Sequence, residues 1–423
     1  MLNLFTKTTP WMVATLLAAS VAISAQDKDS TRSRSQKGSY EQGHEIQKGQ
    51  LMAGYNAPAG YDVRGSWDVY ASGSFLYWQG REDNLELGDL SNGSPIGRPE
   101  VPVQGPFIPF NPIAGTYTNT SASATMLNAD FSYGPGFKVA LGTNLEYDNW
   151  DAVAEYTWFH KTSRSSASAA NRCNNPVTSW IFPTRLMPTG ITSVDDTEHA
   201  YMSVSQKWRL KLDFLDLSLG RSYYNGTRLT FRPFFGARGA WIRQKAKINY
   251  SEQVVTTDVA GVTVVSTDPL LSQSRTNRSI SWGIGPRAGF ESNWMVGCGF
   301  RLVGNANADV LYTRYNLSTR YELTTEYLTT ATVPAVATGS STANLKQKHL
   351  DVLRPHIDLE MGLGWGSYFD NNNWHVDLSA TYGYQVFWDQ NMFRVFTASW
   401  NRSQVPNGNL YIHGLTFTGR FDF

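Results

Sequence analysis

The sequence predicts an all-β protein, an up-and-down antiparallel transmembrane β-barrel of about ten strands, with twelve as the alternative count. Three observations predict it. Ten stretches alternate apolar and polar residues with period two, the pattern of strands that bury or cover one face. The connections between them alternate long and short, and a soluble sandwich has no reason to sort its loops that way. The last stretch, Leu410 to Phe423, carries an aromatic face with nothing to cover it. Closure against the first strand removes that exposed edge, and lipid covers the face.

Composition agrees. The chain has 14 Trp, 21 Tyr and 21 Phe but only 17 % charged residues, which suits aromatic girdles around an apolar band. A net charge of +1 gives no reason to expect a nucleic-acid partner. Beyond the N-terminus no apolar run approaches the ~20 residues of a spanning helix, whereas a barrel strand needs only ~9–11 with alternate ones apolar.

Residues 1–25 read as a secretory signal, with Lys7, an apolar core from Trp11 to Val21, and small residues at Ala22, Ser24 and Ala25. Residues 26–60 are polar and aperiodic and read as a flexible periplasmic segment. Residues 61–423 form the barrel.

The first strand, Ser66–Gln79, places Trp67, Val69, Ala71, Phe75 and Tyr77 on one face. The next two are Gly136–Leu141 and Trp150–His160, the second with Trp150, Ala152, Ala154, Tyr156 and Trp158 in phase. The fourth, Tyr201–Arg221, changes phase. Its first half sets Met202, Val204, Trp208, Leu210 and Leu212 outward, and its second half sets Leu215, Leu217 and Leu219 outward. Such a shift predicts a β-bulge near Asp213–Phe214. Leu229–Gln244, Ile280–Phe290, Gly299–Tyr312 and Leu353–Trp365 continue the series. In Trp374–Trp388 the apolar face begins and ends on tryptophan, as a strand crossing between two girdles should.

The connections at 80–135, 161–200, 245–279, 313–352 and 389–409 are long, and those between them are short. Long loops are expected outside and short turns, with both termini, in the periplasm. Residues 84–90 and 123–133 could pair and raise the count to twelve. The third long connection contains VVTTDVAGVTVVSTD, which reads as a hairpin.

The polar faces carry Arg232, Arg238, Arg287, Arg301, Asp309, Arg354, His356, Asp358, Glu360, His375, Asp377 and Arg420. An arginine facing lipid at the midplane would cost ~2–4 kcal/mol, so these residues are expected to line the lumen. They would either set ion preference or fill a narrow interior with salt bridges. The alternation Arg354, His356, Asp358, Glu360 could also suggest a metal site, but no further convergent ligand is legible. No catalytic constellation, phosphate loop or cofactor motif can be placed, and neither an enzyme nor a cofactor is expected.

Two segments, DVRGSWDVYASGSFLYWQGRED at 62–83 and LTFRPFFGARGAWIRQ at 229–244, resemble the Legionella-type major outer-membrane-protein family, whose relatives in environmental chlamydiae are called MOMP-like. The resemblance extends over about 62 to 423. It implies a bacterial outer-membrane location, outer-membrane lipid as surroundings, and porin activity, the passive diffusion of ions and small hydrophilic solutes. The alternative is a structural or adhesive surface barrel with a plugged lumen, its long loops contacting host or envelope partners. The closing strand, ending in Phe, resembles those of outer-membrane barrels. Tyr411, Leu415, Phe417, Phe421 and Phe423 are then the expected signal to the barrel-assembly machinery. Cys173 falls in an outer loop and Cys298 at a periplasmic turn. They are too far apart to pair across a ~25 Å band, which leaves free thiols or, as the resemblance implies, disulfides to other envelope proteins. Oligomers are compatible with the sequence.

Overall fold

The computed structural model describes residues 57–61, 63, 68–92, 123–145, 149–169, 179–183, 200–259, 262–328, 336–396, 403–404 and 407–423. The expected signal stretch and Cys173 lie outside them. Ten strands form the wall. They are β1 (Val69–Glu82), β2 (Tyr133–Asn144), β3 (Trp150–Ser168), β4 (Tyr201–Arg221), β5 (Leu229–Val259), β6 (Val262–Gly297), β7 (Phe300–Leu328), β8 (Val336–Phe369), β9 (Trp374–Asn391) and β10 (Gly408–Asp422). Each pairs antiparallel with its sequence neighbours, except that β4 follows β3 with a further short strand beside it. β1 also pairs with β10, from Tyr70↔Asp422 to Glu82↔Leu410, and this closes the barrel. Closure leaves no edge, so the backbone groups within the wall are satisfied internally.

The alternation of faces is physical. On β8 the outward residues Leu353 and Met361 are 62 % and 75 % exposed, and on β5 Phe235 is 55 % exposed. A surface this apolar is stable only against lipid. The inward neighbours Arg354, His356 and Asp358 are buried.

The tall end departs from the expected loops. The described residues of 245–279 and 313–352 are strand, not loop: β5 to β8 run 31, 36, 29 and 34 residues and carry the barrel wall far beyond the membrane. The hairpin expected in the third connection is there, as Val259↔Val262 at its tip. Gly88–Asn92 and Ser123–Leu127 pair with each other, as the twelve-strand alternative required. They do not enter the wall. With Ser179–Phe182 they make a small sheet that joins β4 through Ile181↔Tyr201.

The expected bulge at Asp213–Phe214 is absent. β4 keeps one register against β3 from Trp150↔Arg221 to Ser168↔Ser203, and one against β5 from Ser203↔Ser251 to Gly220↔Phe234. What changes is the environment. Leu215, Leu217 and Leu219 face lipid in the lower part of the strand. Higher up, Trp208, Leu210 and Leu212 point inward and are 2 % exposed or less, while Lys207 and Arg209 point into water. The outward placement expected for Met202 to Leu212 is therefore corrected: above the membrane, water is outside and the apolar core is inside.

Two glycines mark where strands approach most closely. A Cβ at Gly285 would lie 1.9 Å from the Val310 carbonyl oxygen, and one at Gly236 would lie 1.8 Å from that of Leu217. They stand across the ladder from arginines, as Gly285↔Arg238 and Gly236↔Arg287. Gly285→Val is expected to lower sharply the fraction of protein that migrates as a compact barrel in unboiled SDS samples, because the β6–β7 backbone would have to separate. Wild-type yields of the heat-modifiable form would refute this.

Candidate functional site: the barrel lumen

The lumen has three levels. The lowest, at the short-turn end, is polar. Residues 57–61 lie across its mouth. Pro58 bridges to Tyr223 in the β4–β5 connection, and the Ala59 amide donates to the Ser222 carbonyl at 3.1 Å. On the far side Tyr61 stacks on His375 of β9, with centroids 3.9 Å apart, and its hydroxyl donates to Asp377 at 3.3 Å. Burial, reinforced by the Asp377 carboxylate, pushes this hydroxyl above its ordinary range, so it stays protonated as a donor. Arg301 pairs with Asp377, and Asp422 accepts from Arg420 at 2.6 Å and lies 2.9 Å from His375 Nδ1.

Above this lies a cavity of about 220 Å³ lined by Ser72, Ser74, Lys138, Glu155, Arg232, Arg287, Glu360, Thr418 and neighbours. Its charges are paired. Arg232 holds Asp151 in a fork and reaches Glu291 at 3.0 Å. Lys138 of β2 reaches across to Glu360 of β8 at 3.4 Å. Arg238 donates to both oxygens of Asp216 at 2.7 and 2.8 Å and to Asp309 at 2.9 Å, while Arg287 meets Asp216 at 3.0 Å. His356 Nδ1 lies 2.8 Å from Asp309. Asp358 accepts from Asn307 at 3.3 Å. In a low-dielectric interior such pairs are tolerated because each charge has a partner.

The third level is apolar. Trp78, Phe159, Trp208, Leu210, Leu212, Phe214, Leu311, Phe387 and Ile412 come from around the wall into one core, joined by Leu85 and Phe393 from the tall-end connections. β4 and β9 stand diametrically opposite in the strand order, yet Phe214 and Phe387 meet with ring centroids 5.6 Å apart. Phe214 also lies under the Arg238 guanidinium at 5.0 Å, and Phe387 stacks on His356 at 3.9 Å. The apolar core thus rests directly on the charge layer. Arg354 sits within the upper level against Tyr315, whose hydroxyl is 3.2 Å from its Nε. Further up, the small sheet adds Leu87, Trp180 and Ile181 to a second core with Met202, Val204, Ile248 and Tyr250.

The twelve residues expected to line the lumen all point inward, ten of them into the two polar levels and Arg354 into the apolar one, with His356 at the boundary. The sequence reading did not single out Lys138, Asp151, Glu155, Asp216 and Glu291, although they share the same polar-face alternation. Phe214 and Phe387 were not named for the lumen either, although Phe387 shares the phase of His375, Asp377 and Gln385. Among the described residues, no group of three or more His, Cys, Asp and Glu has a metal-holding arrangement. Cys298 is exposed at the β6–β7 turn and forms no disulfide among them. The outward face of β10 carries Leu415, Phe417 and Phe421, about half to two-fifths exposed, with Tyr411 above them and Phe423 at the foot.

Residues 62–423 match the family described as Legionella pneumophila major outer membrane protein precursor. No curated protein matches. Among solved structures, the outer membrane protease OmpT from Escherichia coli is similar at 12 % identity and a TM-score of 0.31, over 84 % of this chain and 96 % of that one. A Pseudomonas aeruginosa FadL homologue is similar at 10 % identity and a TM-score of 0.26, over 84 % and 90 %.

Proposed function

This chain belongs to the Legionella pneumophila major outer membrane protein family and resides in the bacterial outer membrane, and from that premise we propose that it is a non-enzymatic surface barrel with a closed lumen. One observation carries the reading: strands on opposite sides of the barrel touch through Phe214 and Phe387, beneath a continuous apolar core. A hydrated ion gains nothing from such a layer and would shed its water to cross it. The wall that rises beyond the membrane on β4 to β8 is then the working part, a rigid surface for host or envelope contacts.

A weakly selective porin is the second reading. The polar cavity of about 220 Å³, with Lys138, Glu155, Arg232, Arg287 and Glu360 on its walls, favours it, since charged linings of this kind set ion preference. Passage would then require displacement of the apolar core. Planar-bilayer recording with the purified full chain separates the two. The closed reading expects no sustained current steps at neutral pH; regular, reproducible steps from heat-modifiable protein would establish the porin.

The outward aromatic face of β10 serves, on our reading, as the signal to the assembly machinery. The Phe423 amide donates to the Val69 carbonyl at 3.3 Å, at the seam where the barrel closes. Phe423→Ser is expected to reduce surface-assembled protein several-fold with synthesis unchanged, as read by surface labelling against total immunoblot. Undiminished surface labelling would exclude this role.

A further inference from the structure

The outer wall carries a cluster of cations on β3 to β6. On β3 to β6 the outward residues stand in register, so their order along the strands can be read directly. Trp158, Asp213, Trp241 and Trp282 make one row. Tryptophans in such a row mark the edge of the apolar band. Below it the outward residues are apolar: Ala152 and Ala154, Leu217 and Leu219, Phe235 and Ala237. These line a groove of about 600 Å³ on the lipid side.

Above the tryptophans the rows are His160, Lys211, Arg243, Ile280; then Thr162, Arg209, Lys245, Arg278; then Arg164, Lys207, Lys247, Thr276. Successive outward rows are ~6.7 Å apart along a strand, or about 5 Å in height at the usual tilt. The headgroup layer on one side of a bilayer is roughly 5–8 Å thick. The first two cationic rows are therefore the ones nearest headgroup depth.

Like charges directly across a ladder repel, and here Lys211↔Arg243, Arg209↔Lys245 and Lys207↔Lys247 face each other. Arg278 extends the second row on β6. Among the described residues none of these cations has a salt-bridge partner. Asp213, the acid in the tryptophan row, is engaged by Tyr156 at 3.1 Å and His160 at 3.2 Å. Arg314 and Arg320 on β7, by contrast, are paired with Asp351 and Glu322, each at 2.7 Å. The unbalanced rows are stable when anions sit against them.

We propose that this face binds a phosphate-bearing lipid of the outer leaflet. Its headgroup lies on the cationic rows of β3 to β6 and its acyl chains lie along the apolar groove beneath. The site depends on the outer-membrane placement and is independent of whether the lumen conducts. Cations at this depth each add to the attraction for anionic headgroups, and the groove adds burial of the chains.

Native mass spectrometry of the detergent-purified full chain tests this, with a diphosphorylated glucosamine-disaccharide lipid as the probe. Joint substitution R209Q, K211Q, R243Q and K245Q is expected to weaken lipid binding by more than about tenfold, with heat-modifiability retained. The same lipid without phosphates should bind the native chain comparably weakly, and excess inorganic phosphate should not displace the intact lipid. Equal binding by the quadruple variant, equal binding of the phosphate-free lipid, or displacement by inorganic phosphate would each overturn the proposal. The phosphate-free comparison uses the native chain and decides the matter even if the variant does not fold.

Discussion

Replacing Arg238 with methionine is expected to destabilise the folded barrel by about 3–5 kcal/mol. The side chain is 3 % exposed and bonds Asp216 and Asp309, both also buried. Methionine leaves these carboxylates in the interior with fewer compensating charges. Arg287 still meets Asp216 and His356 still meets Asp309, so the barrel is weakened rather than abolished. Lysine should recover only part of the loss, because an ammonium cannot reproduce the fork that grips both oxygens of Asp216. Urea unfolding midpoints in detergent, read from the gel shift, measure the series. A wild-type midpoint for Arg238→Met would show that the network contributes nothing net.

Leu210→Glu is expected to abolish assembly, while Ser379→Glu is tolerated. Both positions face the interior, but they meet different media. Leu210 is 0 % exposed within the apolar core, among Trp208, Phe159 and Leu212. A carboxylate there has neither water nor a cation to pair with, and the cost of burying it is many times the worth of the lost leucine contacts. Ser379 lines the polar cavity, where Lys138, Arg287 and Arg420 also stand. The comparison tests whether the outer half of the lumen is dry. If the lumen were hydrated throughout, both variants would reach the membrane at similar levels, as counted by protease-resistant, heat-modifiable protein. That result would remove the physical basis of the closed-barrel reading.

The strands were legible because a period-two alternation is a local property. Trp374 to Trp388 and Leu353 to Trp365 declare two faces without reference to any neighbour. The up-and-down order was legible too, since short turns such as Gly297 to Gly299 leave antiparallel pairing as the simple solution. The polar face of the lower barrel followed from the cost of charge in lipid, which places Arg238, Arg287 and Asp309 on the same side. The sequence by itself therefore determined a closed antiparallel barrel with apolar and polar faces. It could not determine which face is inside along the whole height, because alternation is symmetric between the two. Leu210 and Leu217 carry the same apolar signal on opposite faces of β4, one turned to a core above the membrane and the other to lipid within it. Nor could it show that Phe214 and Phe387 meet across the lumen, as they are 173 residues apart and on diametric strands. Only the tertiary structure decided these, since it sets both the medium outside each segment of strand and the distance between opposite walls.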